Sequence, residues 1–384
     1  MRNTARQAVP SETAGNSPEP VGIVDLASEH RFLGRKLKRE VQRILETGQF
    51  VLGRDLSEFE NAFAAYCGVG YGAGTNSGSS AIELALRACG IGPGDEVIVP
   101  AHTFIASVMA VLNVGATPVL VDVEPRAFSL DIDLAAKAVT ARSKAVLVVH
   151  LYGQMADMGA LEDLARGHDL LLIEDAAQAH GAAFRNRKAG SFGACGCFSF
   201  YPTKNLGAAG DAGMVVTSNA SLARRLKRLR NHGRSSHDRF VEVGFNERMD
   251  NLQAAILNVK LPNLEEWNDR RRKHAALYDR LLAGLPLSLP EELPGRRHVY
   301  HQYVVRARRR SALAKHLESR AIGTAVHYAS PLHRQPALRD LGPLAGRFPV
   351  TERLAREVLS LPVHPYLREK DVRRVAREIT AFFG

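Results

Sequence analysis

Apolar positions along this chain follow two rhythms. Near the start, Leu37, Val41, Ile44 and Leu45 recur at helical spacing and predict an amphipathic helix. Beyond Tyr71, short and nearly continuous apolar runs alternate with helical patterns as far as Thr217. The runs predict strands over residues 96–99, 118–121, 145–149, 170–173 and 213–217. The helical patterns lie near 79–89, 106–114, 132–141 and 158–166. Strands that are apolar on both faces, with helices between them, predict a mostly parallel sheet covered on both sides. After Leu261 the rhythm changes. A charged helical stretch over 265–282 leads through a Pro-rich connection to a strand over 300–307 and a helix near 312–320. The expected organisation is α/β, with a large domain over 23–260 and a smaller α+β domain over 261–384. Residues 1–22 are polar and rich in Ser, Pro, Glu and Gly, and are read as a disordered tail.

Composition narrows the class. The 384 residues are 45% hydrophobic and 24% charged, ordinary for a soluble globular protein and long enough for two lobes. No apolar run approaches the ~20 residues that span a bilayer, and the amino terminus lacks the apolar core of a secretory signal. A cytoplasmic chain without membrane attachment is expected. The net charge of +11 raises nucleic acid as a partner. Against it, no zinc-finger spacing, aromatic RNA-binding signature or basic zipper occurs. The run around Arg224 to Arg230 alternates with Leu222, Leu226 and Leu229 and reads as a solvated helix face, and a share of the charge suits an anionic small substrate. The four cysteines, Cys67, Cys89, Cys195 and Cys197, have neither metal nor redox spacing and are expected to be reduced thiols; no metal site is expected.

In open α/β sheets ligands sit beyond the carboxyl ends of the strands, so the residues after each strand matter most. After residues 71–75 comes Asn76-Ser77-Gly78-Ser79-Ser80, a small-residue loop opening a helix. Free backbone N–H groups at a positive dipole end make a phosphate site, although such loops also serve only as caps. After residues 170–173 comes Glu174-Asp175-Ala176-Ala177-Gln178. Asp175 either caps the next segment or pairs with a protonated ring nitrogen, which would keep that ring an electron sink. The stretch from Phe198 to Gly207 places Lys204 among aromatic and small residues. A lysine in such surroundings loses its proton readily and can form a Schiff base. Phosphate loop, ring-nitrogen acid and Schiff-base lysine, in this order, describe a site for pyridoxal phosphate.

With these residues in view, the sequence resembles the DegT/DnrJ/EryC1/StrS family of sugar aminotransferases, from about Val24 to the carboxyl terminus. The resemblance is carried by "TNSGSSAIELALRACGIGPGDEVIVPAHTFIAS", "IEDAAQAHGA", "CFSFYPTKNLGAAGDAGMVVT", "GFNERMDNLQAAIL" and "VHYASPLHRQPAL". It implies fold type I, the aspartate-aminotransferase-like fold, and pyridoxal 5'-phosphate as cofactor, with the pyridoxamine form as its other state. It further implies that Lys204 holds the cofactor and shuttles the proton, and that Asp175 partners the ring nitrogen. Gln178 would contact the phenolic side. Gly78, Ser79 and Ser199 would hold the phosphate, Phe104 would stack on the ring, and Asn246 would reach the cofactor phosphate of a neighbouring subunit. The active form would then be a homodimer with shared sites. His327, Tyr328 and His333 would face the substrate, while His102, His180 and His232 would shape the pocket.

The implied reaction transfers an amino group from L-glutamate to a nucleotide-linked keto sugar, with a TDP-linked 3-keto-6-deoxyhexose as the first expectation. UDP-linked or 4-keto sugars and cyclitol ketones fit the same chemistry. A dehydratase would carry His where Lys204 stands, and a cofactor-binding regulator would need a DNA-binding element. Three positions depart from the family pattern. Ala194 replaces a frequent acid and is expected to alter hydrogen bonding near Ser199. Ala329 and Ser330 replace a proline and a bulkier residue. Arg334 replaces an aliphatic residue, either to meet an added negative charge or to face solvent.

Overall fold

A computed structural model describes residues 19–339 and 346–384. Its centre is a sheet of strands β1 (Tyr71–Thr75), β2 (Glu96–Pro100), β3 (Thr117–Val121), β4 (Ser143–Val149), β5 (Leu171–Asp175), β6 (Cys195–Ser199) and β7 (Gly213–Thr217), in the order β1-β7-β6-β5-β4-β2-β3. All neighbours run parallel except β7, which is antiparallel to both β1 and β6. The expected mostly parallel α/β sheet is therefore present. Strand β6 was absent from the pattern reading because Cys195-Gly196-Cys197 lacks the β-branched residues that advertise a strand. It forms because it lies between β5 and β7, where Cys195, Cys197 and Phe198 are buried.

Each face of the sheet has its own core. One is built on Phe59, Phe63, Phe198 and Phe200 against Met214 and Leu257. The other is built on Ile82, Leu86, Val108 and Val111 against Val97, Val99 and Leu147. Helix Gly78–Ala88 belongs to the second face; Ser77 caps it by accepting from the Ser80 amide at 3.1 Å. The helix expected near 132–141 ends earlier, spanning Ile132–Lys137.

A separate core gathers Tyr278, Leu282, Tyr303, Leu317, Leu359 and Ile379, from helix Leu264–Leu282, helix Arg310–Ser319, helix Glu369–Phe383 and the antiparallel pair Tyr303–Arg306 and Val358–Leu361. Of the expected amino-terminal tail, residues 1–18 lie outside the described residues. At its other end Val21 is buried in this third core and bridges Ile322, so ordered chain begins before residue 23. The first amphipathic helix spans Leu26–Thr47 and buries Leu33 and Ile44, but Leu45 is 61% exposed, contrary to its place in the sequence pattern.

Candidate active site

Register brings the small-residue loop to its partners. Gly213 at the start of β7 pairs with Thr75 on one side and Ser199 on the other, so the loop after β1 and the end of β6 share one edge. A side chain at Gly78 would collide with Ser199, its Cβ falling 2.6 Å from the serine Cβ. Glycine is needed here for close approach, and it leaves the Ser199 hydroxyl beside the first helical turn. Ser79 is exposed at that turn. Amides at a helix start and a neighbouring hydroxyl form the donor set that a phosphate requires.

Strand β5 ends in two buried carboxylates with opposite fates. Glu174 bonds the His150 ring at 2.9 Å and accepts from the Gly190 and Phe192 amides at 2.9 and 2.7 Å. It is saturated, and it is structural. Asp175 accepts from the Ser107 hydroxyl at 2.7 Å and the Ala177 amide at 3.2 Å. Burial nevertheless pushes its carboxyl above the usual range, outweighing these bonds and the Lys204 and His150 charges. A carboxyl group so placed gains from a further cation in the pocket.

Lys204 follows β6 on a loop anchored by its own amide, which donates to the Tyr201 carbonyl at 2.8 Å. Burial pulls its ammonium down to about 8, with the Asp175 charge pulling the other way. The next residue fastens the loop: buried Asn205 donates to Asn268 at 2.8 Å and to the Val299 carbonyl at 3.0 Å. The His180 ring is fully buried between Phe63, Phe198 and Phe200. Burial first, and then the Lys204 charge, hold it down at about 3.

Helix Ile105–Asn113 begins at Phe104, which is 52% exposed and meets the Tyr328 ring at 5.7 Å between centroids. An exposed aromatic at this point is a ready stacking face. Gln178 links the two lobes. Its oxygen accepts from the Tyr152 amide at 2.7 Å and its nitrogen donates to the Tyr328 hydroxyl at 3.2 Å. His327 meets Ser360 at 2.8 Å, its carbonyl accepts from the Tyr152 hydroxyl, and burial followed by the Lys204 charge brings its ring down to about 4. Burial raises the Tyr328 phenol, helped by the Asp175 charge.

The structure thus gathers Lys204, Asp175, Gln178, Phe104, His327 and Tyr328 in one pocket, with Gly78, Ser79 and Ser199 along its edge. His333 lies apart: it bonds Glu352 at 3.1 Å and packs on Phe348. Arg334 joins the same carboxylate at 2.9 Å. Asn246 is exposed, held by its neighbours' backbone bonds to Leu229, Arg230 and His232. Ala194 sits at the start of β6, the end opposite Ser199, and its carbonyl accepts from Thr217 at 2.7 Å. The expected effect on hydrogen bonding near Ser199 therefore has no local route.

Several residues of the pocket carried no sequence reading. Ser107 is a buried polar residue one helical turn past Phe104. Tyr152 bonds His102 at 3.0 Å and follows β4, so a reading of every strand end would have found it. His301 meets Asn205 at 3.2 Å and is depressed by burial and by Lys204; it comes from the third core and left no signal in the sequence. The chemistry of this set fits pyridoxal phosphate: a cradle for phosphate, a buried acid, an aromatic face and an amine with weakened proton affinity. Among the described residues no group of His, Cys, Asp and Glu is placed to hold a metal ion.

Comparison with known proteins agrees. The profile of the DegT/DnrJ/EryC1/StrS aminotransferase family matches residues 32–380. The chain is 47% identical over 356 residues to the dTDP-3-amino-3,4,6-trideoxy-alpha-D-glucose transaminase of Streptomyces venezuelae, covering 92% of this chain and 94% of that protein. It is 45% identical over 359 residues to the UDP-N-acetyl-3-dehydro-alpha-D-glucosamine 3-aminotransferase of Acidithiobacillus ferrooxidans, covering 94% and 97%. Among solved structures it is similar to S. venezuelae DesV in complex with a ketimine intermediate, with a TM-score of 0.93, 45% identity and coverage of 95% and 99%.

Proposed function

The chain belongs to the DegT/DnrJ/EryC1/StrS aminotransferase family, and from that premise we propose that it aminates a TDP-linked 3-keto-6-deoxyhexose with L-glutamate as donor. That it is a pyridoxal-phosphate-dependent aminotransferase acting in nucleotide amino-sugar biosynthesis follows from the family and its relatives. The strand-end pocket supports this reading: burial lowers the proton affinity of the Lys204 amine and raises that of the Asp175 carboxyl, and the charge of each opposes the shift of the other. The relatives named above act on dTDP- and UDP-linked sugars, which supports a nucleotide diphosphate as the carrier.

Pyridoxal phosphate, when bound, supplies an aldehyde that holds amines and a ring that takes up charge released at the neighbouring carbon. The protein supplies the rest. Gly78, Ser79 and Ser199 hold the phosphate. Asp175 keeps a proton on the ring nitrogen, with Ser107 orienting its carboxylate. Phe104 covers one ring face, and Gln178 orients the phenolic edge. Lys204 takes the proton from the donor carbon and returns it one position away, then reverses this for the keto sugar. Positioned proton transfer of this kind contributes ~10²–10⁴-fold. His327 and Tyr328 border the sugar. His333 is part of the same segment and acts by holding it to Glu352.

The active form is a homodimer in this reading, with Asn246 reaching its partner's site. Phe32, Leu45, Phe50, Val51 and Leu52 are exposed near the amino-terminal helix and offer an apolar face for it. The protein works in the cytoplasm; no helix among the described residues is long and apolar enough to cross a membrane.

The test is spectroscopic. Protein loaded with pyridoxal phosphate is treated with L-glutamate, freed of donor, and mixed with TDP- and UDP-linked 3-keto and 4-keto sugars in turn. Loss of visible absorbance with glutamate and its return with the TDP-linked 3-keto sugar is expected. Return only with a cyclitol ketone would replace the acceptor, and no change with glutamate would remove the donor.

A further inference from the structure

The loop that carries Lys204 is gripped from behind. Residues 200–208 close on themselves, the Ala208 amide donating to the Phe200 carbonyl at 2.8 Å. Gly207 cannot carry a side chain, since its Cβ would fall 2.3 Å from the Pro202 carbonyl oxygen. The turn leaves the Gly207 carbonyl to a partner outside the loop. It accepts at 2.7 Å from Lys260, at the end of helix Asn251–Lys260. One strand-end step further on, Gln253 of the same helix accepts from the Ala209 amide at 2.9 Å.

Lys260 is wholly buried, an unusual place for an ammonium. Its charge is met by Glu29 of the amino-terminal helix Leu26–Thr47 at 2.6 Å, an ion pair that lacks hydrogen-bond alignment. A buried cation stays in place only when paired and bonded. Among the described residues it is held by one carboxylate from the first helix and one carbonyl from the Lys204 loop. The chain thus runs from Glu29 to Lys260 to Gly207 to Lys204, joining the amino-terminal helix to the reactive amine.

We propose that Lys260 is a positioning residue for Lys204, holding its loop through the Gly207 carbonyl, and that Glu29 sets the strength of this hold. The proposal rests on the reading that Lys204 bonds the cofactor, and it predicts a specific defect. When Lys204 condenses with the aldehyde of pyridoxal phosphate, water is lost and visible absorbance appears. The rate of that appearance after the cofactor has bound reports how the amine is placed. Small misplacement of a reacting group costs on the order of 100-fold.

Full-length protein stripped of cofactor is mixed with pyridoxal phosphate in a stopped-flow instrument, for the wild type, Lys260→Met, Lys260→Arg and Glu29→Gln. Thermal melting of each apoprotein is measured alongside. Lys260→Met is expected to slow the growth of visible absorbance by ~100-fold, with saturation by the cofactor little altered. Lys260→Arg, which keeps a cation and a donor, is expected to recover a large part of the rate. If Lys260→Met does not fold, Glu29→Gln decides: a slower rate supports the link, and a wild-type rate in the folded variant overturns it. A folded Lys260→Met with a wild-type rate overturns the proposal outright. Wild-type protein that gains no absorbance, or a Lys204→Ala variant that gains it normally, would instead overturn the assignment of Lys204.

Discussion

The two ends of the central sheet are built alike and behave differently. At the amino ends of the strands lies an open concavity of about 590 Å³, lined by Cys89, Leu171, Gly193, Ala194, Thr217, Asn219 and Leu222 among others. Its polar groups are engaged: Thr217 bonds the Ala194 carbonyl at 2.7 Å and Asn219 caps a helix. At the carboxyl ends converge groups whose proton affinities are displaced. Lys204 is brought down to about 8, His327 to about 4 and His180 to about 3, and Asp175 is raised. Displaced titratable groups converging from several elements mark chemistry more reliably than volume does.

The contrast can be broken by mutation, beginning with the largest effect. Lys204→Ala should abolish both the visible absorbance of the loaded protein and turnover, a loss of at least ~10³-fold given the scale of positioned proton transfer. Turnover persisting with normal absorbance would move the chemistry elsewhere. Asp175→Asn should lower turnover by ~10²-fold or more, because the ring nitrogen loses the anion that keeps it protonated. Ser107→Ala removes one hydrogen bond to that carboxylate and should cost about tenfold in turnover, consistent with ~1.5 kcal/mol for a bond to a charged group. An unchanged rate would show that Ala177 alone orients Asp175.

A pH profile sharpens the same comparison. Lys204 titrates at about 8 in the fold against an ordinary 10.5. The free amine therefore forms as pH rises through 8, and the rate of condensation with pyridoxal phosphate should rise with a midpoint near that value. Asp175 stabilises the ammonium, so Asp175→Asn should move the midpoint lower. The sign for stability follows from the same shift. Between 8 and 10.5 the unfolded chain holds a proton that the folded apoprotein has released, so raising pH across this window favours the folded state. Apoprotein melting curves of wild type and Lys204→Met should diverge there, the wild type gaining more. The smallest effect belongs to the other end of the sheet. Ala194→Asp places an acid at the amino end of β6, and turnover and absorbance should stay within about twofold, as changes away from a site usually do. A large loss would mean that the amino ends communicate with the pocket.

Much of the pocket was legible because its residues follow strands. Asp175 ends β5, Gln178 comes just after it, and the small-residue loop comes after β1; Lys204 follows β6, which the pattern does not predict, and is marked instead by its aromatic and small neighbours. A carboxyl end is fixed by local pattern, and everything beyond it faces the crevice. Tyr152 obeys the same rule after β4. Ser107 and His301 obey no such rule. Ser107 matters because helix Ile105–Asn113 packs where its hydroxyl meets Asp175, 68 residues away in sequence. His301 matters because the carboxyl-terminal lobe folds back beside Lys204.

The misplaced expectations have the same cause. Ala194 is near Ser199 in sequence, yet an extended strand of about 3.3 Å per residue carries them to opposite ends of the sheet. Leu45 fits the helical stripe by period, but the stripe that is buried is chosen by what packs against it, and nothing described here covers Leu45.

Periodicity and the order of motifs in the sequence determined the mostly parallel α/β sheet and the family, and they single out Lys204, Asp175 and the small-residue loop as candidates, because these depend on short-range spacing. Tertiary structure decided the partners of each carboxylate: Glu174 meets a histidine and two amides, while Asp175 meets one hydroxyl and one amide. It also decided that Tyr328 and His301 meet Gln178 and Asn205, and that Lys260 meets the Gly207 carbonyl. Burial and long-range hydrogen bonding set those properties, and both are made by residues far apart along the chain.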